Sequence, residues 1–309
     1  MKNYADRIID AIQKKGNPCI VGLDPRIDQM PDFLLQKNKN KSTPARIVEA
    51  ISDFHKIIIN TIADIVPGVK PQVAFYEQYG LPGMKAFKNT LAYAKKKGLI
   101  TIVDAKRNDI GSTAQAYSNT FLGKTDIFSK KVSIYDVDCI TVSPFLGEDS
   151  LIPFVKDCSE YGKGIFILVK TSNPGSGDVQ DLKIAESGEE VYVSLAKLVK
   201  KLGKDLIGKK GYSSIGAVVG ATYPKEAELL RELMANNIFL VPGYGAQGAE
   251  GKDIVNCFNP DKLGAVVNAS RSITYNYGSN TISESDFVKS IEKNINEMIA
   301  DVNGALDKN

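Results

Sequence analysis

One histidine, His55, serves this 309-residue chain, and it falls inside a helical pattern. That scarcity excludes a histidine-based triad and a histidine-rich metal site, so acid–base work falls to Lys, Asp, Glu or Tyr. Cysteine is nearly as sparse. Cys19 and Cys139 lie in apolar strand-like runs, Cys158 and Cys257 lie near helix ends, and none forms a C-x-x-C pair. Four scattered thiols argue for a reducing compartment and against a disulfide frame or a zinc site. An excess of one charge is missing as well: 39 basic residues against 36 acidic ones leave a net charge of +3. Such a balance gives nucleic acid or an anionic membrane no electrostatic grip. The lysine runs at 95–97, 200–201 and 209–210 read as solvated helix ends that complement the helix dipole. No segment approaches membrane-spanning length. The N-terminal "MKNYADRIIDAIQKKG" reads as an amphipathic helix with Ile8, Ile9 and Ile12 on one side, without the apolar centre of a signal peptide. A cytoplasmic protein is expected.

What the chain does have is a repeated alternation. Eight short apolar runs read as strands: "CIVGLD" (19–24), "VKPQVAF" (69–75), "LITIVDAK" (99–106), "CITVSPF" (139–145), "GIFILVKTS" (164–172), "IGAVVGA" (215–221), "IFLVPG" (238–243) and "GAVVNASR" (264–271). Near-continuous hydrophobic strands belong to parallel sheets covered on both faces. Helix-period patterns lie between them. "MKAFKNTLAYAKKKG" puts Phe87, Leu91 and Ala94 on one stripe and stops at Gly98. "EEVYVSLAKLVKKLG" aligns Val191, Leu195, Leu198 and Leu202. "TYPKEAELLRELMANN" starts on Pro224 and aligns Ala227, Leu230 and Met234, and the last helix repeats Val288, Ile291, Ile295 and Met298. This alternation predicts a (β/α)8 TIM barrel with an extra N-terminal helix, as a single domain over 1–309. No G-x-G-x-x-G follows the first strand, which disfavours an open dinucleotide-binding sheet. The stretch 26–68 exceeds one crossover and predicts an added loop before the first barrel helix.

In such a barrel, reactive groups project from the C-terminal ends of the strands. The strand ends here carry Asp24, Lys70, Asp104 with Lys106, Ser143, Lys170 with Thr171, Thr222, Ser270 with Arg271, and Gln247 beyond "PGYG". Ile100, Ile102, Asp104 and Lys106 share one parity, so Asp104 and Lys106 face the same side. Lys70 ends the neighbouring strand and can lie beside Asp104. Asp109 follows where a helix begins, with Ile110, Ala114, Tyr117 and Phe121 as its stripe. The order Lys, Asp, Lys, Asp lets each charge answer its neighbour. At an effective dielectric near 20, each contact at ~4 Å contributes about 4 kcal/mol of attraction, enough to offset desolvation. Taken singly, Asp109 also suits a helix N-cap, and Asp104 with Lys106 a structural ion pair. The glycine-rich "VPGYGAQGAEGKDI" and the following "NASRSITY" offer backbone N–H groups and a guanidinium, as a phosphate site after strands 7 and 8 requires.

"DAKRNDIGSTAQAY" resembles the D-x-K-x-x-D-I signature of the orotidine 5'-phosphate decarboxylases. The likeness extends through "VGLDPR", "VKPQVAFYEQYG", "TVSPFLGEDSL", "LVKTSNPGSGDVQDL", "VPGYGAQG" and "SRSITY". The "KTSNPGSGD" stretch and the length resemble the longer, type 2 subfamily. D-x-K-x-x-D alone is shared with sugar-phosphate decarboxylases and synthases. Its combination with Lys70, "PGYGAQG" and "SRSI" is much more specific. The resemblance implies conversion of orotidine 5'-phosphate to UMP with no metal or organic cofactor. It makes Lys106 the proton donor to C6, places Asp104 beside the departing carboxylate and sets Lys70 against Asp104 and the ribose. Asp109 and Ile110 would cross into the site of a partner in a homodimer. Asp24 and Thr113 would meet ribose hydroxyls, and Ser143 the pyrimidine amide. Gln247, Arg271 and the Ser270 backbone would hold the phosphate, with Pro242 and Gly243 in the adjoining turn. Two positions depart from the family pattern: Ser270 and Ala249 stand where glycine is usual.

Three other readings use the same residues. A metal-assisted sugar-phosphate lyase needs an acid where this chain has Lys70. A Schiff-base aldolase would use Lys170 or Lys106, although a lysine ringed by carboxylates stays protonated and poorly nucleophilic. A non-catalytic nucleotide-binding barrel would bind UMP and turn nothing over.

Overall fold

The computed structural model describes residues 2–37, 39–245 and 248–308. Eight parallel strands close into a barrel: β1 (Cys19–Leu23), β2 (Gly68–Pro71), β3 (Ile100–Arg107), β4 (Cys139–Val142), β5 (Gly164–Lys170), β6 (Ser213–Val219), β7 (Asn237–Val241) and β8 (Ala265–Ala269). They pair in sequence order, and β8 closes on β1 through Cys19–Val267, Ile20–Asn268 and Val21–Ala269. All eight predicted strands are present. Their near-total burial explains the absence of polar alternation, because one face meets the barrel interior and the other meets helices.

The helices outside the barrel are α2 (Thr43–Ile62), α3 (Gly80–Lys96), α4 (Gly111–Phe121), α5 (Glu148–Tyr161), α6 (Val191–Gly203), α7 (Pro224–Leu233) and α8 (Glu284–Lys308). The stripe of α3 is as predicted, and Gly98 just past it takes φ +77°. The stripe of α6 is rotated from the expected one. Tyr192, Val193, Ala196 and Val199 are buried, whereas Leu195, Leu198 and Leu202 pack only at its margins. The helix lies over β5 and β6 at once, so a broad face is covered and periodicity alone does not locate its centre. Ile110 leaves its stripe altogether: Ala114 and Phe121 are buried, but Ile110 is 56% exposed. The added segment before α2 is a single 3-10 turn at Ile27–Gln29 and a short helix at Asp32–Lys37.

The N-terminal helix α1 (Tyr4–Lys15) plugs the bottom of the barrel. Tyr4, Ile8, Ile9 and Ile12 join the inward residues Ile20, Ile100, Ile102, Phe166, Ile238, Leu240 and Val266 in one apolar cluster. The Tyr4 ring meets Phe166 edge-on at 6.2 Å. It lies where a side chain on Gly164 would stand, so that strand start has room only for glycine. With this end sealed by apolar groups, the polar interior is confined to the opposite, C-terminal mouth.

Candidate active site

Inward parity carries β3 from Ile100 and Ile102, in the apolar plug, to Asp104 at the mouth. The Asp104 carboxylate is shared between two cations. Lys70 Nζ, from the end of β2, lies 3.2 Å from Oδ2, and Lys106 Nζ lies 2.6 Å from Oδ1. The Thr141 hydroxyl, from β4, donates to Oδ1 at 2.9 Å. Side-chain exposure is 6% for Lys70 and 13% for Asp104 but 47% for Lys106, so the outer ammonium is the one that reaches free space.

Electrostatics follow from this sharing. Burial alone would raise the Asp104 pKa. The ammonium groups of Lys70 and Lys106, with hydrogen bonds from Lys106 and Thr141, override it and hold the carboxyl well below the ordinary range. Burial would likewise lower the Lys70 pKa, but the Asp104 and Asp24 carboxylates raise it above the ordinary lysine value. Both groups are therefore ionised at neutral pH. Asp24, just past β1, contributes to that field while its own Oδ1 is buried and has no hydrogen-bond partner among the described residues. An acceptor in that condition is poised for a ligand hydroxyl.

The charges border a cavity of about 500 Å³ in the barrel mouth, within the usual span of small-molecule sites. Lys70, Asp104, Lys106 and Thr141 form one wall, Leu168, Val218 and Leu240 the floor, and Pro242 the side toward β7. The opposite wall consists of Thr171, Ser172, Asn173, Ser176, Val179 and Gln180, from the segment after β5. Of this wall, only Thr171 was singled out as a strand-end residue. The advance signals were Thr171 at the strand end and the "KTSNPGSGD" stretch of the family likeness.

Lys170, the aldolase candidate, turns away from this cavity. Strand pairing slips between Leu168 and Lys170, and the ammonium is fully buried against the Asp181 carboxylate. It also lies 4.4 Å from the centre of the Tyr223 ring. An ammonium so enclosed by a carboxylate and an aromatic ring is unsuited to attack a carbonyl.

Other sequence-selected residues fall outside the central charge cluster. Asp109 forms no ion pair among the described residues, and its Oδ1 accepts the Ile110 N–H at 2.8 Å. It does not cap α4, whose N-cap residue is Ile110. Within one chain the row is thus Lys70–Asp104–Lys106, and Asp109 is not brought into it. Ile110 and Thr113 are exposed beside it. Ser143 is half-buried just past β4 and accepts the Phe145 N–H at 3.4 Å.

After β7, Gly243 takes φ +105° and Gly245 φ +69°, conformations that favour glycine. The Gly245 N–H donates to the Ala249 carbonyl at 2.9 Å. Gln247 lies outside the described residues. Ser270 has φ −121°, so serine is accommodated where glycine is usual in the family pattern. Arg271 is exposed and opens the four-residue helix Arg271–Thr274 at the same end of the barrel.

Among the described residues, no cluster of three or more His, Cys, Asp or Glu side chains is placed to hold a metal ion.

Residues 19–282 match the model of the orotidine 5'-phosphate decarboxylase / HUMPS family. The chain is 42% identical over 304 residues to an orotidine 5'-phosphate decarboxylase of Caldicellulosiruptor bescii, covering 97% of this chain and 98% of the relative. It is 44% identical to that of Rhodopirellula baltica over 89% of each chain. A crystal structure from Streptomyces avermitilis, assigned to the same enzyme, superposes with a TM-score of 0.78 at 30% identity, covering 99% of this chain and 97% of that one. On the family match and these near-full-length relatives, the chain belongs to the orotidine 5'-phosphate decarboxylase / HUMPS family.

Proposed function

We propose that this chain removes CO2 from orotidine 5'-phosphate to give UMP, using its own side chains alone. The observation that carries this reading is the Lys70–Asp104–Lys106 row on the wall of the cavity. Loss of CO2 from C6 breaks the carbon–carbon bond and leaves its electron pair in an sp2 orbital, with no carbonyl placed as a simple electron sink. Such a carbanion needs fixed positive charge beside it and then a proton. Lys106, exposed into the cavity and held by Asp104, supplies both. The Asp104 carboxylate stands where the substrate carboxylate must leave, and Lys70 keeps it ionised and in place. Asp24, with its unpartnered oxygen, takes a ribose hydroxyl. Thr171, Ser172 and Gln180 offer polar groups to the pyrimidine, with Ser143 a further candidate for its amide. Gln247, Arg271, the Ser270 N–H and the turn at Pro242 and Gly243 hold the phosphate. That grip supplies binding energy remote from C6.

The working form in this reading is a homodimer of single-domain barrels, each spanning residues 1–309. Asp109 then completes the partner's charge row, Ile110 enters the partner's site, and Thr113 meets a ribose hydroxyl. The exposure of Ile110, Phe145 (84%) and Leu146 (46%), all in loops after β3 and β4, supports a covered surface there. A cytoplasmic location accords with four free, buried thiols. Among the described residues, no helix is long and apolar enough to cross a membrane.

The test is a spectrophotometric assay of orotidine 5'-phosphate consumption by the purified chain, with and without EDTA. Turnover unaffected by chelation is expected. Absence of turnover, or its loss with EDTA, would overturn the reading.

A further inference from the structure

Between two ordinary stretches of pairing, β3 and β4 lose register. Val103 pairs with Ile140, and the next pair is Arg107 with Val142. Asp104, Ala105 and Lys106 therefore all stand opposite one residue, Thr141. The N–H groups that a regular ladder would send to β4 carbonyls go elsewhere. Ala105 N–H and Lys106 N–H both donate to Thr141 Oγ1 at 3.0 Å, and that hydroxyl donates to Asp104 Oδ1 at 2.9 Å.

We infer that Thr141 is a positioning residue of the charge row, its hydroxyl fixing both the Asp104 carboxylate and the irregular backbone that carries Lys106. The inference rests on the decarboxylase reading and deepens it. Lys106 has φ +48°, a left-handed conformation that costs a non-glycine residue free energy and persists only where surroundings enforce it. The two bonds to consecutive N–H groups supply that enforcement, and the bulge they stabilise determines where the Lys106 stem leaves the strand.

Thr141 lines the cavity and is 1% exposed, so direct contact with substrate is the competing role. Its hydrogen-bonding capacity argues otherwise. A hydroxyl has one proton and two lone pairs, and all three are engaged within the chain. It has no bond left for a ligand. Its effect on reaction must pass through Asp104 and Lys106, so it should bear on the chemical step more than on nucleotide binding.

Thr141→Val keeps the shape and removes the hydroxyl, while Thr141→Ser keeps the hydroxyl. The expected result is a kcat at least about 30-fold lower in the valine variant, with UMP affinity within about threefold of wild type, and most of kcat regained in the serine variant. A valine variant within about twofold of wild-type kcat would overturn the inference, as would a serine variant no better than valine, or a loss confined to KM. Thr141→Ala replaces valine if that variant does not fold. Amide hydrogen exchange at residues 105 and 106 gives a readout independent of turnover. Protection lost in the hydroxyl-free variant and kept in serine supports the clasp, and protection unchanged in both rejects it. A wild-type chain that leaves orotidine 5'-phosphate untouched would defeat the functional reading alone, because the exchange measurement still decides the role of the hydroxyl.

Discussion

Lys106 is held at its root and free at its tip. Its backbone is pinned, and its ammonium is 2.6 Å from Asp104, yet the side chain is the most exposed of the three in the row. That combination suits a group that must meet a developing carbanion and then give up a proton. Lys106→Ala is expected to lower kcat by at least about 10³-fold, since in the proposed mechanism one residue supplies both the proton and the stabilising charge. Nucleotide monophosphate affinity should change little, and comparable activity in the variant would refute the role. The row also sets a pH window. The depressed Asp104 pKa makes its stabilising contribution complete above the ordinary carboxylate value of about 4, and that contribution is lost only as pH falls through the lower folded value. The raised Lys70 pKa makes its contribution complete below about 10.4, and it is lost as pH rises through the higher folded value. Between about pH 5 and 9 neither ionisation should mark the pH profile of kcat. An inflection in that range that disappeared in Asp104→Asn would contradict the shared-charge geometry.

At the scale of elements, the segment after β5 forms one wall of the cavity and is tied down by side chains on both sides. The buried Lys170 ammonium holds Asp181, Gln180 Oε1 accepts the Thr171 N–H at 2.9 Å, and Ser176 Oγ donates to the Tyr223 hydroxyl at 3.1 Å. Asp181→Asn leaves an enclosed ammonium without its counter-charge. Because the Asp181 side chain is 47% exposed, the stability loss should stay near 1–2 kcal/mol by denaturant titration. Faster proteolysis within 172–181 and a severalfold higher KM should accompany it. A variant with unchanged KM and cleavage would remove the clamp from consideration. None of this was visible in the chain beforehand, because the slip that turns Lys170 outward depends on how β5 meets β6. The strands themselves were legible, since burial on both faces writes a continuous apolar run. Asp104 was legible for a related reason: parity fixes its direction, and charge at the end of an inward parity is costly unless answered, whereas the bulge and not parity sets the direction of Lys106. Thr141 was not, because a single threonine within an apolar strand carries no mark of the three bonds it makes. The α6 stripe is offset because the helix packs over two strands at once, which periodicity does not reveal.

For the whole molecule, one chain supplies three of the four charges in the proposed row. The single chain brings Lys70, Asp104 and Lys106 together and leaves Asp109 unpaired among the described residues, next to the exposed Ile110. If Asp109 serves the partner's site, two defective variants should repair one another. In a mixed dimer of Lys106→Ala with Asp109→Ala, one site combines both lesions and the other combines both intact residues. Random re-pairing of equal amounts makes half the dimers mixed, each with one working site, so about a quarter of wild-type activity should return. The separate variants should each remain far below that level. If Asp109 instead acts within its own chain, every site in the mixture carries one lesion, and mixing adds nothing. Activity after dissociation and reassociation therefore distinguishes a site built by two chains from one completed by a single barrel. A sedimentation measurement on the same samples verifies that the mixed species is dimeric. An additive result from a confirmed mixed dimer would return Asp109 to a role in its own loop and leave three charges to carry the reaction.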